Sequence, residues 1–322
     1  MPVAAVIVTH RCDALVDACV QSLLGQTRVP DDILVVVSSE GRPAVPSGAR
    51  ALHLGANLGY ARAANAGAEA TTGDLLLLND DTRLLPDAVA RLEAARGAEG
   101  AYVPRIRLAD GSGRLDNQGH GVFPDGFVWA RGRDTIDDGR ALLPPGAFSG
   151  AAVWITRSAW RATGGYDPRF DSFGEDVDLS LRFLRRGFVI RAVPEALVEH
   201  HLGATYGRFG PDKIRRIERN RVRAAVRSLP VGLLLTLPLW TGARLAVFAA
   251  LAASGRGPGA SVPPEARRAA VQGLVEGMAD APTWWRDRTS DAPEWALGER
   301  AMLRAMWDGR ARWEDVWRAS GS

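Results

Sequence analysis

The sequence is poor in lysine and cysteine. Lys213 is the single lysine among 40 basic residues, and the formal net charge is only +3. This modest charge, carried almost wholly by arginine, gives no basic footprint of a nucleic-acid binder, so we expect no nucleic-acid partner. The two cysteines, Cys12 and Cys19, match neither a metal nor a disulfide spacing. They are predicted to be core thiols in a reducing compartment.

The start of the chain lacks two further signals. MPVAAVIVTHRCD has no basic region before its apolar stretch and no cleavage site. It is predicted to be a strand and not a signal peptide, so the protein is expected in the cytoplasm. No G-x-G-x-x-G follows this strand, which excludes a nicotinamide-dependent Rossmann enzyme. A nucleotidyltransferase would need a Gly-rich basic phosphate loop here, and THRCDALVDA is not one.

What the sequence does contain is a regular alternation of strands and helices. Its 322 residues are 46% hydrophobic and 24% charged, an ordinary globular composition. The predicted strands are 3–9, 33–37, 51–54, 75–78 and 102–107, and the helices between them are 13–25, 60–70 and 86–96. Near-continuous apolar strands joined by helices predict an α/β fold with a mainly parallel central sheet and helices on both faces.

The next segment is less regular. Residues 108–146 are rich in Gly, Asp and turn pairs, and are predicted to form loops and short hairpins across one edge of the sheet. A strand at 151–155, a helix near Ser158 and a longer helix at 175–186 follow, the last one stopped by Gly187.

The composition changes again past residue 205. Residues 208–227 carry eight basic and two acidic side chains, and the apolar stretch 229–253 contains one charge, Arg244, and two prolines. About 20 apolar residues span a bilayer, but a central arginine costs roughly 2.5–3.5 kcal/mol on insertion scales. The pattern favours a segment lying in or re-entering the inner leaflet, with a spanning helix and a buried helix pair as alternatives. The Trp- and Arg-rich tail predicts amphipathic helices.

The first cluster with chemical potential is LLLLNDDT, residues 75–82. A buried strand runs into Asn79, Asp80 and Asp81 at the edge where parallel sheets bind ligands. Adjacent carboxylates repel each other unless a cation neutralises them. Hard oxygen ligands select Mg²⁺ or Mn²⁺, often with phosphate oxygens in the same shell. A turn or a helix cap explains the same residues, and taken alone that interpretation is favoured.

Two more clusters follow. In SFGEDVDLSLRFLRRG, Glu175 and Asp176 begin a helix, where the positive end of the dipole favours anions. These residues either are acidic first-turn residues without a catalytic role, or one of them supplies a general base for an attacking hydroxyl. In VEHHLGAT, a neutral imidazole can complete a metal site that includes Asp81, and the other histidine is expected to be a surface or packing residue.

In this order along one α/β chain, the clusters resemble the GT-A-fold inverting glycosyltransferases of family 2, and among them the rhamnosyltransferase-like branch. The resemblance covers about residues 3–227. It is carried by segments in family order, namely VIVTHR with CVQSLLGQT, NLGYARAAN, LLLLNDD, PRIRLADGS with LDNQGHGVFPDG, GAFSGAAVWITRSAW, GGYDPRFDSFGEDVDLSLR and HHLGAT. LLLLNDD matches the metal-binding D-x-D-like motif of the family.

The resemblance implies roles for the matching residues. Asp81 would be the main metal ligand, with His200 as the late metal-linked histidine. Asp176 would be the catalytic base, and Glu175 its neighbour toward the acceptor. The donor would be contacted by a larger set, which is Thr9, Arg11, Ser38, Glu40, Asn57, Gly59, Asn65, Asn79, Asp80, Ser149 and Gly150.

One position departs from the family pattern. The second strand of family members normally ends with an Asp that contacts the nucleobase, whereas this chain reads LVVVSSEG. Ser38, Ser39 or Glu40 would have to substitute for that Asp. The identity of the base is therefore left open.

The implied function is transfer of a sugar, rhamnose-like by preference, with Mg²⁺ or Mn²⁺ as cofactor. The donor would be a dTDP-, UDP- or GDP-linked sugar, and the acceptor a glycan or polyprenyl-linked molecule in cell-envelope polysaccharide synthesis. The enzyme would be cytoplasmic, peripheral to the inner face of the cell membrane, with a homodimer left open. The alternative is a non-catalytic GT-A-like nucleotide-sugar-binding protein.

The same resemblance implies a division of the chain. Residues 1–227 would form the GT-A catalytic domain, with a nucleotide-binding half (1–107) and an acceptor and catalytic half (108–227). Residues 228–322 would form a helical, membrane-associated C-terminal region.

Overall fold

A computed structural model describes residues 1–201, 210–255 and 263–318. The elements of the first half are β1 Val3–Thr9, α1 Ala14–Leu24, β2 Asp32–Val37, β3 Arg50–His53, α2 Tyr60–Glu69, β4 Asp74–Asn79, β5 Thr82–Leu84, α3 Ala88–Ala95, β6 Gly100–Leu108, β7 Leu115–Asn117, β8 His120–Val122 and β9 Val128–Ala130. Those of the second half are β10 Ala152–Ile155, α4 Arg157–Thr163, α5 Glu175–Arg185, β11 Val189–His200, α6 Pro211–Ser228, α7 Val231–Leu235, α8 Leu237–Ala253, α9 Pro264–Ala279, α10 Ala281–Asp291, α11 Glu299–Asp308 and α12 Trp313–Arg318.

The central sheet has the strand order β3-β2-β1-β4-β10-β6-β11-β5, and β7 pairs with β6. Strands β1 to β4 are mutually parallel, and so are β6 and β11. Strand β10 runs antiparallel between β4 and β6, and β5 runs antiparallel to β11. The prediction of a mainly parallel sheet is confirmed. The strand β5 was not predicted, because three residues carry too little periodicity.

The four leucines of β4 show why the strands are apolar on both sides. Leu76 and Leu78 pack in one core with residues of α1 and α3, whereas Leu75 and Leu77 pack in the opposite core with residues of α2 and α5. All four are at most 1% exposed. A strand covered by helices on both faces needs such a continuous apolar run. The carboxyl end of β4 is then the first place where its side chains reach a cleft.

Residues 108–146 form the loops and short hairpins predicted for them. β7 extends the sheet at β6, and β8 pairs with β9 as a separate two-stranded ribbon. The ribbon lies beside the C-terminal helices, since the Val122 amide donates to the Gly309 carbonyl at 3.1 Å and the Ala311 amide to the Val122 carbonyl at 3.0 Å.

The apolar stretch 229–253 folds as two helices, α7 and α8. Within the described parts of the chain, no helix combines the length and the hydropathy that crossing a bilayer requires. Arg244, which the sequence presented as an obstacle to insertion, is 2% exposed and pairs with Asp125 at 2.8 Å and with Glu218 at 3.0 Å. The buried face of α8 is therefore partly polar.

Helix α9 packs closely on α6. A Cβ atom on Gly273 would lie 2.2 Å from the Arg215 carbonyl oxygen, and one on Gly277 would lie 2.8 Å from that of Arg219, so both positions need glycine. Trp284 of α10 and Met302 of α11 share a core with Phe170. The predicted boundary between 227 and 228 stays a prediction, and the C-terminal helices share packed side chains with the part before it.

Candidate active site

A cleft of about 1650 Å³ opens where β1, β2 and β4 end. Its lining unites residues from distant parts of the sequence, including Thr9, Ser38, Asn79, Asp80, Asp81, Asp116, His120, Gly150, Glu175, Asp176 and His200. The strand-end acids, the helix-start acids and the late histidine therefore meet in one place. This arrangement is the one expected of an open α/β sheet, whose ligands bind beyond the carboxyl ends of its strands.

Asp80 is held by the end of the first strand. The hydroxyl of Thr9 lies 2.7 Å from Asp80 Oδ2 and also accepts the Arg11 amide at 3.0 Å. Burial raises the pKa of Asp80, the hydrogen bond from Thr9 lowers it in part, and the charge of Asp81 raises it again. The two neighbouring carboxylates therefore repel each other, as the sequence suggested.

Asp81 faces His200 across the cleft floor. Its Oδ1 atom is buried, has no aligned hydrogen-bond partner among the described residues, and lies 3.1 Å from His200 Nε2. The other ring nitrogen, Nδ1, lies 2.9 Å from Asp116 Oδ2. Burial lowers the pKa of His200, but the close contacts with Asp116 and Asp81 and their negative charges outweigh it and raise the pKa to about 9. At neutral pH the imidazolium thus offsets one of the two negative charges, and a metal ion bound at Nε2 would displace its proton.

The geometry of Asp81 and His200 is compatible with a shared divalent cation. Nowhere in the described residues do three or more His, Cys, Asp or Glu side chains gather into a group that would hold a metal by itself. The 3.1 Å separation of Asp81 Oδ1 and His200 Nε2 nevertheless resembles the roughly 3 Å edge of an octahedral shell with ligands at about 2.1 Å. Such ions commonly take one or two protein ligands and complete the shell with substrate phosphates and water.

Asp176 is oriented by backbone amides. Its Oδ2 accepts from the Gly150 amide at 3.0 Å, and its Oδ1 accepts from the Val177 amide at 2.8 Å. The Gly150 carbonyl in turn accepts from the Tyr60 hydroxyl at 3.0 Å. The carboxylate is half-buried and fixed at the cleft wall, at the amino-terminal end of α5.

Glu175 differs from its neighbour in solvation. It is 7% exposed, and its Oε2 has no hydrogen-bond partner within the described chain. Burial, and then the charge of Asp176, hold the pKa of Glu175 well above its usual range. Its buried environment therefore favours the protonated form of Glu175.

Most of the residues predicted to contact the donor line the cleft. Ser38, 3% exposed, accepts the Leu58 amide at 2.9 Å and so fastens the loop that carries Asn57. Gly59 adopts a φ of 79°, and a Cβ there would lie 2.3 Å from Asp171 Oδ1. Ser149, Asn79 and Gly150 lie along the same wall.

Three predicted donor residues lie away from the cleft lining. Glu40 is exposed beyond the end of β2, and Arg11 forms an ion pair with Asp13 at 2.8 Å. Asn65 uses its side-chain amide for the backbone of Tyr166, donating at 2.7 Å and accepting at 3.0 Å. The side chain of Asn65 therefore has a structural role in holding the Tyr166 backbone. Residues 202–205 of the late histidine motif lie outside the described residues.

Two cleft residues were not predicted as site residues. Asp116 binds His200, and His120 is half-buried near the Asp176 carboxylate, with its buried Nδ1 lacking a hydrogen-bond partner in the described chain. Burial lowers the pKa of His120, so its imidazole is neutral. Both lie in LDNQGHGVF, which the sequence marked as a family segment without assigning chemistry to it.

Comparison with known proteins agrees with this geometry. Residues 75–216 match the profile of glycosyl transferase family group 2. The N-acetylglucosaminyl-diphospho-decaprenol L-rhamnosyltransferase of Mycobacterium tuberculosis is 32% identical over 49% of this chain and 61% of its own length. The match thus spans less than two thirds of that relative.

Two solved structures share the fold. The structure of GalNAc-T7 with UDP, GalNAc and Mn²⁺ superposes with a TM-score of 0.55 and 17% identity, covering 70% of this chain and 48% of the other. The mannosyltransferase PcManGT of Pyrobaculum calidifontis, in complex with GDP-Man and Mn²⁺, superposes with a TM-score of 0.51 and 16% identity. That match covers 95% of this chain and 87% of the other. The fold is GT-A. Over residues 75–216 the chain is similar to the family 2 glycosyltransferases.

Proposed function

We propose that the protein is an inverting glycosyltransferase that moves a sugar, rhamnose-like by preference, from a nucleotide-diphospho-sugar to an acceptor hydroxyl. The acceptor is a glycan or lipid-linked molecule of cell-envelope polysaccharide synthesis. The proposal rests on one observation: two groups of residues line the same cleft. One group is the Asp80–Asp81 pair with His200, and the other is the oriented carboxylate of Asp176.

Asp176 acts as the general base. Its carboxylate is held at the cleft wall by two amides, and the buried environment of the adjacent Glu175 favours the protonated form of that residue, as its raised pKa indicates. Asp176 takes the proton of the acceptor hydroxyl as that oxygen attacks the anomeric carbon from the side opposite the diphosphate. The carbon–oxygen bond to the diphosphate breaks in the same displacement, which inverts the configuration and needs no covalent sugar–enzyme intermediate.

Asp81 and His200 are the residues that would hold Mg²⁺ or Mn²⁺. When bound, the cation offsets the negative charge that develops on the leaving nucleoside diphosphate. Asp116 orients the His200 ring through Nδ1, which directs Nε2 toward Asp81. Asp80, fixed by Thr9, borders the sugar-phosphate part of the donor.

The rest of the cleft suits a large acceptor with an apolar part. Drug-sized ligands occupy pockets of about 300–1000 Å³, so about 1650 Å³ leaves room beyond a donor. The outer wall is built by α8 and α9, with Leu245, Phe248, Val271 and Leu274 among the lining residues. The rhamnosyltransferase relative has a diphospho-decaprenol acceptor in its name. This wall therefore supports a lipid-linked acceptor.

Helices α7 and α8 also support attachment to a membrane surface. Thr241 and Arg244 of α8 point into the protein, whereas Leu235, Leu239 and Trp240 are 79%, 75% and 44% exposed. A helix with its polar side chains buried and its apolar side chains exposed presents an apolar surface that can bury itself in a lipid interface, as interfacial helices do. The exposed Arg267 and Arg268 of α9 add positive charge suited to anionic lipid.

Replacing both Leu235 and Leu239 by Asn is expected to release the protein from vesicles that contain anionic lipid. Burial of one leucine contributes about 1.5–3 kcal/mol, so losing two should weaken the partition coefficient at least tenfold. Co-sedimentation measures it, and Ile136→Asn is the matched control, because Ile136 is 60% exposed but lies in the 108–146 segment. Equal binding of both variants would remove the argument.

Deletion of residues 229–322 is not a suitable test of membrane attachment, because it would remove Trp284 and Met302 from the core that they share with Phe170.

The function itself is tested with a panel of dTDP-, UDP- and GDP-sugars. A true donor is expected to raise the unfolding temperature in the presence of Mn²⁺ and to do so less in its absence. It should also be hydrolysed slowly or transferred to a supplied acceptor. Protection without any turnover would favour a non-catalytic nucleotide-sugar-binding protein, and absence of protection by every donor would refute the proposed donor class.

A further inference from the structure

The loop that precedes the two acids of α5 has an unfavourable backbone conformation. Asp171, Phe173 and Gly174 adopt φ angles of 64°, 68° and 90°. Side-chain-bearing residues rarely occupy this left-handed region, because their Cβ atoms approach the backbone. Two such residues in four persist only where neighbouring groups fix them. The loop ends at Gly174, so its conformation sets where Glu175 and Asp176 begin.

Asn220 of α6 supplies the fixing contacts. The side chain is fully buried, and its Nδ2 donates to the carbonyl oxygens of Phe170 at 3.0 Å, Phe173 at 2.6 Å and Ser172 at 3.4 Å. A Cβ on Gly174 would lie 3.2 Å from Asn220 Cβ, so the loop and the helix are in close contact. One amide group thus binds three successive parts of the strained loop.

The orientation of this amide is determined by its other partners. Asn220 Oδ1 accepts from Arg219 Nε at 3.1 Å and from an Arg223 guanidinium nitrogen at 3.3 Å. Because arginine only donates, the oxygen must face these side chains and the nitrogen must face the loop. The same network therefore favours donation to the carbonyl groups.

The far side of the loop contacts the donor half of the cleft. The Asp171 carbonyl accepts from the Ala61 amide at 3.3 Å, and Gly59 leaves room for the Asp171 carboxylate. Asp171 also pairs with Arg216 of α6. The loop lies between the Asn57–Gly59 segment and α6, so a change in its backbone moves the start of α5 relative to the donor site.

We propose that Asn220 is a positioning residue for sugar transfer, holding the Asp171–Gly174 loop so that Asp176 meets the acceptor hydroxyl. This inference rests on the proposed function, in which Asp176 is the base. Asn220 itself lies behind the loop and acts only through it. It is expected to govern the catalytic step much more than the affinity for the donor.

The test uses Asn220→Leu, which keeps the number and branching of the side-chain heavy atoms and removes the donor group. We expect kcat to fall about 10- to 100-fold, since displacement of a reacting group by about 1 Å can cost 10² in rate. The Kd for donor with Mn²⁺ should stay within about twofold. Thr71→Val is the matched control, because it also removes a buried side-chain donor, one that binds the Gly67 carbonyl at the end of α2, and it should lower stability while leaving kcat unchanged.

A rescue experiment separates positioning from packing. Phe173→Gly in the Asn220→Leu background removes the penalty of the left-handed residue, and should recover part of the lost kcat. A role in packing alone predicts further loss instead. Unchanged kcat in Asn220→Leu, an equal loss of donor affinity, or no recovery in the double variant would each overturn the proposal.

Hydrogen exchange provides a readout that does not require turnover. Amides in residues 171–180 should exchange faster in Asn220→Leu than in the parent protein, whereas those of α1 should not change. Unchanged exchange in 171–180 would refute the role of Asn220 whatever the enzyme does. Faster exchange in a chain that transfers no sugar would support the role of Asn220 in holding the Asp171–Gly174 loop, and would count against the proposed function.

Discussion

Asp176→Asn is expected to abolish sugar transfer while leaving donor binding nearly intact. The substitution keeps the shape of the side chain and an oxygen that can still accept from the Gly150 amide, although the contact with the Val177 amide is then lost. An amide cannot accept the proton of the acceptor hydroxyl. General-base catalysis contributes about 10²–10⁴-fold, so kcat should fall by about 10³-fold. The measurement is the initial rate of transfer with saturating donor, together with calorimetry of donor binding in Mn²⁺.

Two comparison variants sharpen this expectation. Asp17→Asn changes an exposed carboxylate on α1, away from the cleft, and should match the parent protein. Glu175→Gln should be milder than Asp176→Asn, because the raised pKa of Glu175 favours its neutral form, which glutamine resembles. A turnover of Asp176→Asn close to that of the parent would show that another group removes the proton.

The sequence predicted the strands well because their signal is local. Runs such as LLLL and the Asp13 cap, whose carboxylate accepts the Leu15 amide at 3.0 Å, are decided by near neighbours. The boundaries of β1 and the start of α1 agree with the prediction for this reason. The ordered acidic and histidine motifs likewise indicated which residues would meet, because strand ends in a parallel sheet share one edge.

The contacts that the sequence did not provide depend on distant parts of the chain. Asp116 reaches His200 only after β7 folds back on β6, a register that a Gly- and Asp-rich segment does not specify. Arg244 appeared to be a charge inside an apolar segment, and its partners are Asp125 in the turn between β8 and β9 and Glu218 in α6. Asn220 was hidden in a stretch that was notable only for its charge. Each required the tertiary structure to bring its partners together.

Asp81→Asn is expected to remove the metal-dependent part of donor affinity. In the parent protein, addition of EDTA should weaken donor binding, because in the proposed site the cation would be held by Asp81 and His200 beside the diphosphate. In the variant the affinity should fall about 10²-fold and become insensitive to EDTA, since an amide oxygen carries no net charge to hold the ion. Asp116→Asn, which removes the partner of His200 Nδ1 and leaves Asp81 in place, should cost about 10-fold, the lower end for a group that orients a ligand. Calorimetry with Mn²⁺ and with EDTA measures both. A variant at Asp81 that retains the full effect of Mn²⁺ would place the cation elsewhere in the cleft.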